Sequence, residues 1–188
     1  MATYESTKAK YFRPTDAIDL GVGENADQIA YLAFKIATQE GLTVFNMADG
    51  VSDEYEDETG IDTSASQNET YDSSNDLYSV TGSVNLTLIS TASTASSAPD
   101  HGRLVIFEEK VDGTVDINTD IKGFISRDNG TTYTELTMAL ESTYESGKRI
   151  FAGSADISAQ PSGTSMRYKV RGYNNKDFKI HGASMTWK

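Results

Sequence analysis

Histidine, cysteine and carboxylate side chains are the groups best able to do chemistry in this 188-residue chain. It has two histidines, His101 and His181, and no cysteine. His101 lies in a predicted loop and His181 in a predicted strand. A lone histidine on a strand is far more often a surface residue or a hydrogen-bonded one than a catalytic residue. With 28 acidic residues, a chance pair of carboxylates is nearly certain, so glycoside hydrolysis has no specific support. Because no nucleophile elbow, phosphate-binding loop or zinc-protease motif is present, we predict no catalytic residue, no cofactor and no enzyme activity.

The segment 49–76 contains ten Asp and Glu residues and no Lys or Arg. Carboxylates are hard oxygen ligands for calcium, but the spacing from Asp49 to Asp53 does not fit a helix-loop-helix calcium loop. The later carboxylates Asp112, Asp116 and Asp120 are equally weak evidence for a calcium site. The composition favours a solvated acidic linker and no metal ligand, and calcium binding by this linker stays open as the alternative.

One local motif lies in the second half of the chain. Ser126–Tyr133 resembles the Asp-box, Ser-x-Asp-x-Gly-x-Thr-aromatic, which recurs in sialidase propellers away from the catalytic site. We expect Asp128 to accept hydrogen bonds across the turn, Gly130 to supply the turn conformation and Tyr133 to pack against the sheet. Since the motif occurs once and no propeller repeat accompanies it, it predicts a hairpin staple rather than an enzyme.

Alternating side chains predict the strands that would position these groups. In the extended run 121–126, one side consists of Ile121, Gly123 and Ile125. The other side consists of Lys122, Phe124 and Ser126. Similar runs bounded by Gly, Pro and Asn turns are predicted at 103–111, 121–126, 133–138, 149–157, 165–173 and 177–187, with one or two more strands in 77–91. This number of strands predicts a mainly β fold, an antiparallel sandwich of jelly-roll or lectin-like type.

An extended arm, Met1–Pro14, and one helix over 24–40, ended by Gly41, are predicted before the strands. The helix carries an apolar stripe flanked by Tyr31 and Phe34, with Ile29, Leu32, Ala33, Ile36 and Ala37 at helical spacing. This stripe either packs on the chain's own β-domain or on symmetry mates near a threefold axis. As a hypothesis, the assembly interface consists of Tyr11, Phe12, Ile29, Leu32 and Ile36.

Composition limits the class of protein. The hydrophobic fraction is 37%, which predicts a thin core and favours oligomerisation. The net charge of −12 argues against nucleic acid as a partner, because phosphate binding needs a cationic surface. No signal-peptide pattern or membrane-length apolar run is visible, so neither membrane insertion nor secretion is expected. The predicted organisation is 1–48 for assembly, 49–76 as the acidic linker and 77–188 as the sandwich.

Two stretches resemble segments of virion structural proteins of tailed bacteriophages. One runs from Phe34 through Phe45–Ser64, and the other from Lys148 through Ser158–Tyr168 to Gly182. The resemblance implies a non-enzymatic protein on the virion, made in the host cytoplasm, which docks through its N-terminal segment. It implies either a tail-fibre or baseplate appendage or a head decoration protein, and both kinds are often homotrimers. The implied partners are other capsid or tail proteins.

A carbohydrate-binding module for host surface glycans is the alternative function. Sugar sites need exposed aromatic side chains with a few fixed polar groups. The candidates in the sequence are Tyr133, Tyr144, Tyr168, Tyr173 and Trp187, several of which strand alternation turns inward. A depolymerising glycosidase is the third hypothesis.

Overall fold

A computed structural model describes residues 21–80, 82, 84–144 and 147–188, with side chains from Ala26 onward. Its elements are α1 (Gly21–Thr43), β1 (Asp49–Asp53), β2 (Glu69–Asp72), β3 (Leu77–Val80), β4 (Thr87–Ile89), β5 (Ser93–Thr94), β6 (His101–Lys110), β7 (Ile121–Ser126), β8 (Thr134–Leu136), β9 (Ala139–Thr143), β10 (Lys148–Asp156), β11 (Ser165–Gly172) and β12 (Phe178–Trp187). The six strands predicted from 103 onward correspond to β6, β7, β8, β10, β11 and β12, whereas β9 lies outside every predicted strand. The predicted arm lies outside the described residues.

The strands form two antiparallel sheets. Seven strands pair in the order β2-β3-β12-β6-β10-β9, with β1 also pairing with β12. Five strands form the second sheet in the order β4-β11-β7-β8, with β5 also pairing with β11. The prediction of a mainly β antiparallel sandwich with one helix is therefore confirmed for the described residues.

The core lies between the two sheets. β6 contributes Leu104 and Ile106, while β7 and β11 contribute Ile125, Tyr168 and Val170, and all five are almost fully buried in one cluster. Gly123 allows close approach of the sheets, because a Cβ atom there would lie 2.9 Å from Leu104 Cδ2. The inward side chains of β6 thus contact the other sheet directly.

Helix α1 covers the outer face of the seven-stranded sheet. Ala30, Phe34 and Ala37 pack with Val105 and Phe107 of β6 in a second cluster. The Phe34 ring stacks on Phe107 with ring centroids 5.7 Å apart. The helix is longer than predicted, and it packs on its own β-domain through Ala30, Phe34 and Ala37. Of these, Ala37 belongs to the predicted stripe and Phe34 flanks it. Among the described residues, no helix is long and apolar enough to cross a membrane.

The end of the helix also differs from prediction. Gly41 does not stop α1; it is buried where a Cβ atom would lie 2.6 Å from Thr186 Oγ1 of β12. The chain turns after Thr43, with Asn46 in the left-handed region at φ 51°. Buried Arg103 donates from Nη1 to the carbonyl of Ala37 at 2.8 Å and so ties the helix to β6. The glycine therefore serves close packing, not termination.

The prediction of a solvated linker at 49–76 is wrong. β1 pairs with β12, and β2 pairs with β3, inside this segment. Tyr55 is fully buried, and its hydroxyl lies 3.3 Å from that of Tyr168. Backbone pairing and a few buried apolar side chains, which include Tyr55 and Ile61, hold this acidic segment on the sandwich. The average charge of the segment does not reveal these contacts.

We expect Phe34→Ala to lower the free energy of unfolding by about 3–5 kcal/mol, because it removes a buried ring from the helix–sheet contact. Ile36→Ala, at a side chain that is 60% exposed in the single chain, should change the free energy of unfolding of the monomer by less than about 0.5 kcal/mol. Urea unfolding of both variants, followed by circular dichroism, measures the two effects. An equal loss for both variants would show that α1 does not face the sheet with the Phe34 side.

Candidate ligand face and candidate assembly face

The outer face of the five-stranded sheet carries cations and aromatic rings. Alternation along β7 and β11 turns apolar residues inward and leaves Phe124 half-buried and Arg171 exposed on the other side. We name this surface the cationic aromatic face; it consists of Lys122, Phe124, Tyr133, Lys169, Arg171 and Tyr173.

Cross-strand register brings these side chains together. Lys169 lies opposite Phe124, and Arg171 lies opposite Lys122. The Lys169 ammonium is 3.8 Å from the centroid of the Tyr133 ring and 4.5 Å from that of Phe124. Such contacts stabilise a cation by about 0.5–1 kcal/mol at exposed sites. Lys169 thus lies between two rings.

A third aromatic ring, that of Tyr173, lies at the other end of the face. The Arg171 guanidinium is 5.0 Å, and the Lys122 ammonium 5.5 Å, from the centroid of the Tyr173 ring. Tyr173 lies just beyond the end of β11. Its backbone amide donates a hydrogen bond to the carbonyl of Asp120 at 2.7 Å, and this bond holds Tyr173 in place. The face therefore has aromatic groups on both sides of a row of cations.

The cations differ in how their charge is balanced. Lys122 pairs with Glu135 at 2.9 Å, and neighbouring Arg167 pairs with Asp62 at 2.6 Å. Lys169 and Arg171 have no carboxylate within ion-pair distance among the described residues. Burial, and then the nearby charge of Arg171, lower the pKa of Lys169. Two adjacent cations on this face are thus not neutralised.

The hairpin between β7 and β8 holds Tyr133 at the face. Asp128 Oδ1 accepts hydrogen bonds from the Ser126 hydroxyl at 2.7 Å and from the Thr132 amide at 2.8 Å. Burial alone would raise the pKa of Asp128, but these hydrogen bonds lower it overall. Gly130 has φ 82°, and the Tyr133 hydroxyl lies 2.9 Å from where a Cβ atom of Gly130 would be. The three residues of the predicted staple thus lie together in this hairpin.

The aromatic residues considered for sugar binding do not share one surface. Trp187 and Tyr168 are core residues, and Tyr144 packs beside the cluster under the helix. Tyr133 and Tyr173 belong to the cationic aromatic face. Sequence reasoning missed Phe124 as a site residue, although strand alternation already turned it away from the core.

The sequence also indicates the cations on and beside the face. Arg167, Lys169 and Arg171 alternate with buried residues along β11. An alternating row of cations on a strand indicates a positive surface wherever the strand lies inside a sheet. Their proximity to the rings, however, depends on the pairing of β11 with β7.

The predicted assembly residues lie on the opposite side of the molecule. Ile29, Leu32 and Ile36 are 57%, 59% and 60% exposed on the surface of α1 that faces away from the sheet. Tyr11 and Phe12 lie outside the described residues. The three exposed positions follow one another by three and four residues, which is the a/d spacing of a coiled coil. We call this surface the helix stripe.

The two histidines do not meet. His101 Nδ1 lies 2.7 Å from Asp100, near the beginning of β6, whereas His181 Nε2 lies 2.8 Å from Glu109, near its other end. Burial lowers the pKa of His181, although the hydrogen bond with Glu109 opposes this effect. In the part of the chain that the structure describes, no three His, Asp or Glu side chains gather in a way that could hold a metal ion.

No known protein family and no curated protein matches the sequence. Among solved structures, the chain is similar to a carbohydrate-binding module that recognises mannan, at 9% identity and TM-score 0.44, over 76% of this chain and 97% of that one. It is also similar to a xylan-binding domain from Paenibacillus barcinonensis, at 14% identity and TM-score 0.37, over 75% and 96%. A third is a 4-O-methyl-α-glucuronidase specific for decorated arabinogalactans, at 10% identity and TM-score 0.32, over 75% of this chain and 16% of that one. With TM-scores below 0.5, the sugars of these proteins do not carry over to this chain.

The Asp62–Arg167 ion pair predicts a pH dependence of stability. The hydrogen bond from Arg167 lowers the pKa of Asp62 from 3.8 to about 2. Because the folded-state pKa is the lower one, this stabilisation is present above about pH 4 and is lost as pH falls through about 2.

We expect Asp62→Asn to lower the free energy of unfolding at pH 7 by about 0.5–1 kcal/mol. The difference from the unchanged protein should shrink towards the acid end, as measured by urea unfolding at several pH values. Glu58→Gln, at an exposed carboxylate outside any ion pair found among the described residues, is the matched control. A difference for Asp62→Asn that stays constant with pH would contradict the assignment.

Proposed function

We propose that this protein is a non-enzymatic carbohydrate-binding adhesion module, and that the cationic aromatic face is its binding site. The observation that carries the proposal is the grouping of Phe124, Tyr133 and Tyr173 with fixed polar groups on one sheet face. Aromatic rings present flat apolar surface to the C–H groups of a sugar, and the cations donate hydrogen bonds to its hydroxyls. Binding requires no movement of the sheet, because the pairing of β7 with β11 holds Phe124 beside Lys169 and Lys122 beside Arg171.

The chemistry of the face favours binding over hydrolysis. The six residues that define the face carry no carboxylate, and Lys122 already engages neighbouring Glu135 at 2.9 Å. Glycoside hydrolysis in its usual form uses two carboxyl groups on either side of the scissile bond. A sugar bound here would contact aromatic rings and cations, and we expect the protein to release it without hydrolysis.

A glycan array probed with the purified full chain tests this function. We expect binding to a defined set of saccharides, and we expect Phe124→Ala to weaken it by roughly tenfold or more, because aromatic anchors dominate binding energy. Tyr144→Ala removes a half-buried aromatic residue from the other sheet and should bind as the unchanged protein does. Calorimetry on the best saccharide gives the affinities.

Two results would count against the carbohydrate proposal. One is the absence of binding to any saccharide by the folded, unchanged protein. The other is an unchanged affinity after Phe124→Ala, with circular dichroism showing that both proteins are folded.

A second candidate function is a structural component on the surface of a tailed-phage virion, in a tail appendage or in head decoration. The helix stripe supports it. Ile29, Leu32 and Ile36 leave an apolar row open to solvent, and a second copy of this chain is the occupant that fits it. With Ile at a and Leu at d, the stripe resembles two-stranded coiled coils more than the predicted trimer.

Charges beside the stripe fit a parallel pair of helices. In the same heptad register Lys35 takes a g position and Glu40 the following e position. Residues at g and at the next e position of the partner helix form interhelical salt bridges in parallel coiled coils. The face that packs on the sheet, around Phe34, lies on the other side of the helix, so pairing would leave the sandwich intact.

Disulfide trapping tests the helix stripe, because the native chain contains no cysteine. Leu32→Cys, at the middle of the stripe, should cross-link two copies of the full chain under mild oxidation, and Ile36→Cys should do so when the helices are parallel. Leu140→Cys, 54% exposed on β9, is the matched control and should stay monomeric. Equal cross-linking at all three positions, or none at Leu32→Cys, would overturn the pairing. Antibody labelling of purified phage particles would test the virion location separately.

A further inference from the structure

The cationic aromatic face concentrates positive charge on an acidic protein. The chain carries a net charge of −12, yet Lys169 and Arg171 stand side by side without a carboxylate partner among the described residues. Like charges in close proximity repel one another, and this repulsion is stronger where water is partly excluded. An arrangement of this kind is relieved by an anion that binds between the two groups.

The spacing of the two cations suits one anionic group. Residues two apart on a strand lie on the same side, roughly 6.5–7 Å apart along the backbone. Both side chains are long enough to converge on a carboxylate or a sulfate between them. Arg171 can bind such a group through two parallel N–H donors, and Lys169 can act as a point charge.

We infer that the ligand of this face is an anionic saccharide, with a carboxylate or sulfate group between Lys169 and Arg171. The inference rests on the proposed carbohydrate function and specifies its ligand. The aromatic rings on either side, Phe124 and Tyr173, are then placed to stack on the sugar rings adjacent to the charged group.

A neutral sugar fits this face less well. To stack on Phe124 it must displace the Lys169 ammonium from the ring and leave that cation without a compensating anion. An anionic substituent draws the ammonium towards itself and thereby uncovers the ring. At about 0.15 M salt the Debye length is about 8 Å, so carboxylates that lie farther than this from the two cations scarcely oppose this contact.

The test uses a glycan array of matched pairs at 0.15 M salt. Each pair contains a saccharide with a uronate, sialate or sulfate group and its neutral counterpart, the methyl ester or the desulfated form. We expect the charged members to bind at least about tenfold more tightly, in keeping with the strength of hydrogen bonds to charged groups. Comparing carboxylated with sulfated pairs identifies which anion the site takes.

Three variants assign the effect to the two cations. Lys169→Gln and Arg171→Gln should each weaken binding of the best charged saccharide by about tenfold and change binding of its neutral counterpart far less, because glutamine removes the charge and keeps a hydrogen-bond donor for hydroxyl groups. Lys110→Gln, at an exposed lysine of β6 away from the face, is the matched control and should change neither.

The outcomes separate the two proposals. Binding of neutral members as tightly as charged ones, or unchanged affinity in both glutamine variants, would overturn the anionic ligand while leaving carbohydrate binding in place. Failure of the unchanged protein to bind any saccharide would overturn the carbohydrate function itself.

Discussion

The burial of β6 on both of its faces is the constraint on which the rest of the structure depends. Leu104 and Ile106 point into the space between the sheets, while Val105 and Phe107 point into the contact with α1. A strand that is apolar on both sides must be covered on both sides, or its outer row would lie in water. The molecule therefore has three layers, with the helix, the seven-stranded sheet and the five-stranded sheet in that order.

This layering leaves two outer surfaces that point in opposite directions. One is the helix stripe, on the side of α1 away from β6, and the other is the cationic aromatic face. Because they lie at opposite ends of the three layers, association of copies through the first would leave the second open. Several weak ligand sites on one assembly bind together far more strongly than one site alone. The two proposed functions are therefore compatible within one protein.

Charge is distributed unevenly over these surfaces. The acidic segment 49–76 pairs with the seven-stranded sheet at β12 and β3. On the five-stranded sheet, Glu135 neutralises Lys122, and Asp62 of the acidic segment neutralises Arg167. Lys169 and Arg171 have no ion-pair partner in the part of the chain that the structure describes. An overall negative charge thus coexists with a local positive surface, which composition alone conceals.

The sequence by itself determined most strands and the class of fold, because alternation over β7, β11 and β12 and the continuous apolar run of β6 report local backbone geometry. It also determined the hairpin at Asp128, whose turn chemistry is local. The tertiary structure decided which side of α1 is buried, because Phe34 and Ile36 are both apolar and only a partner sheet distinguishes them. It likewise decided that Lys169 meets Phe124 and Tyr133, since strand pairing joins residues that are far apart in the chain. Sequence periodicity tells which residues share a face, whereas pairing and packing determine which faces come together.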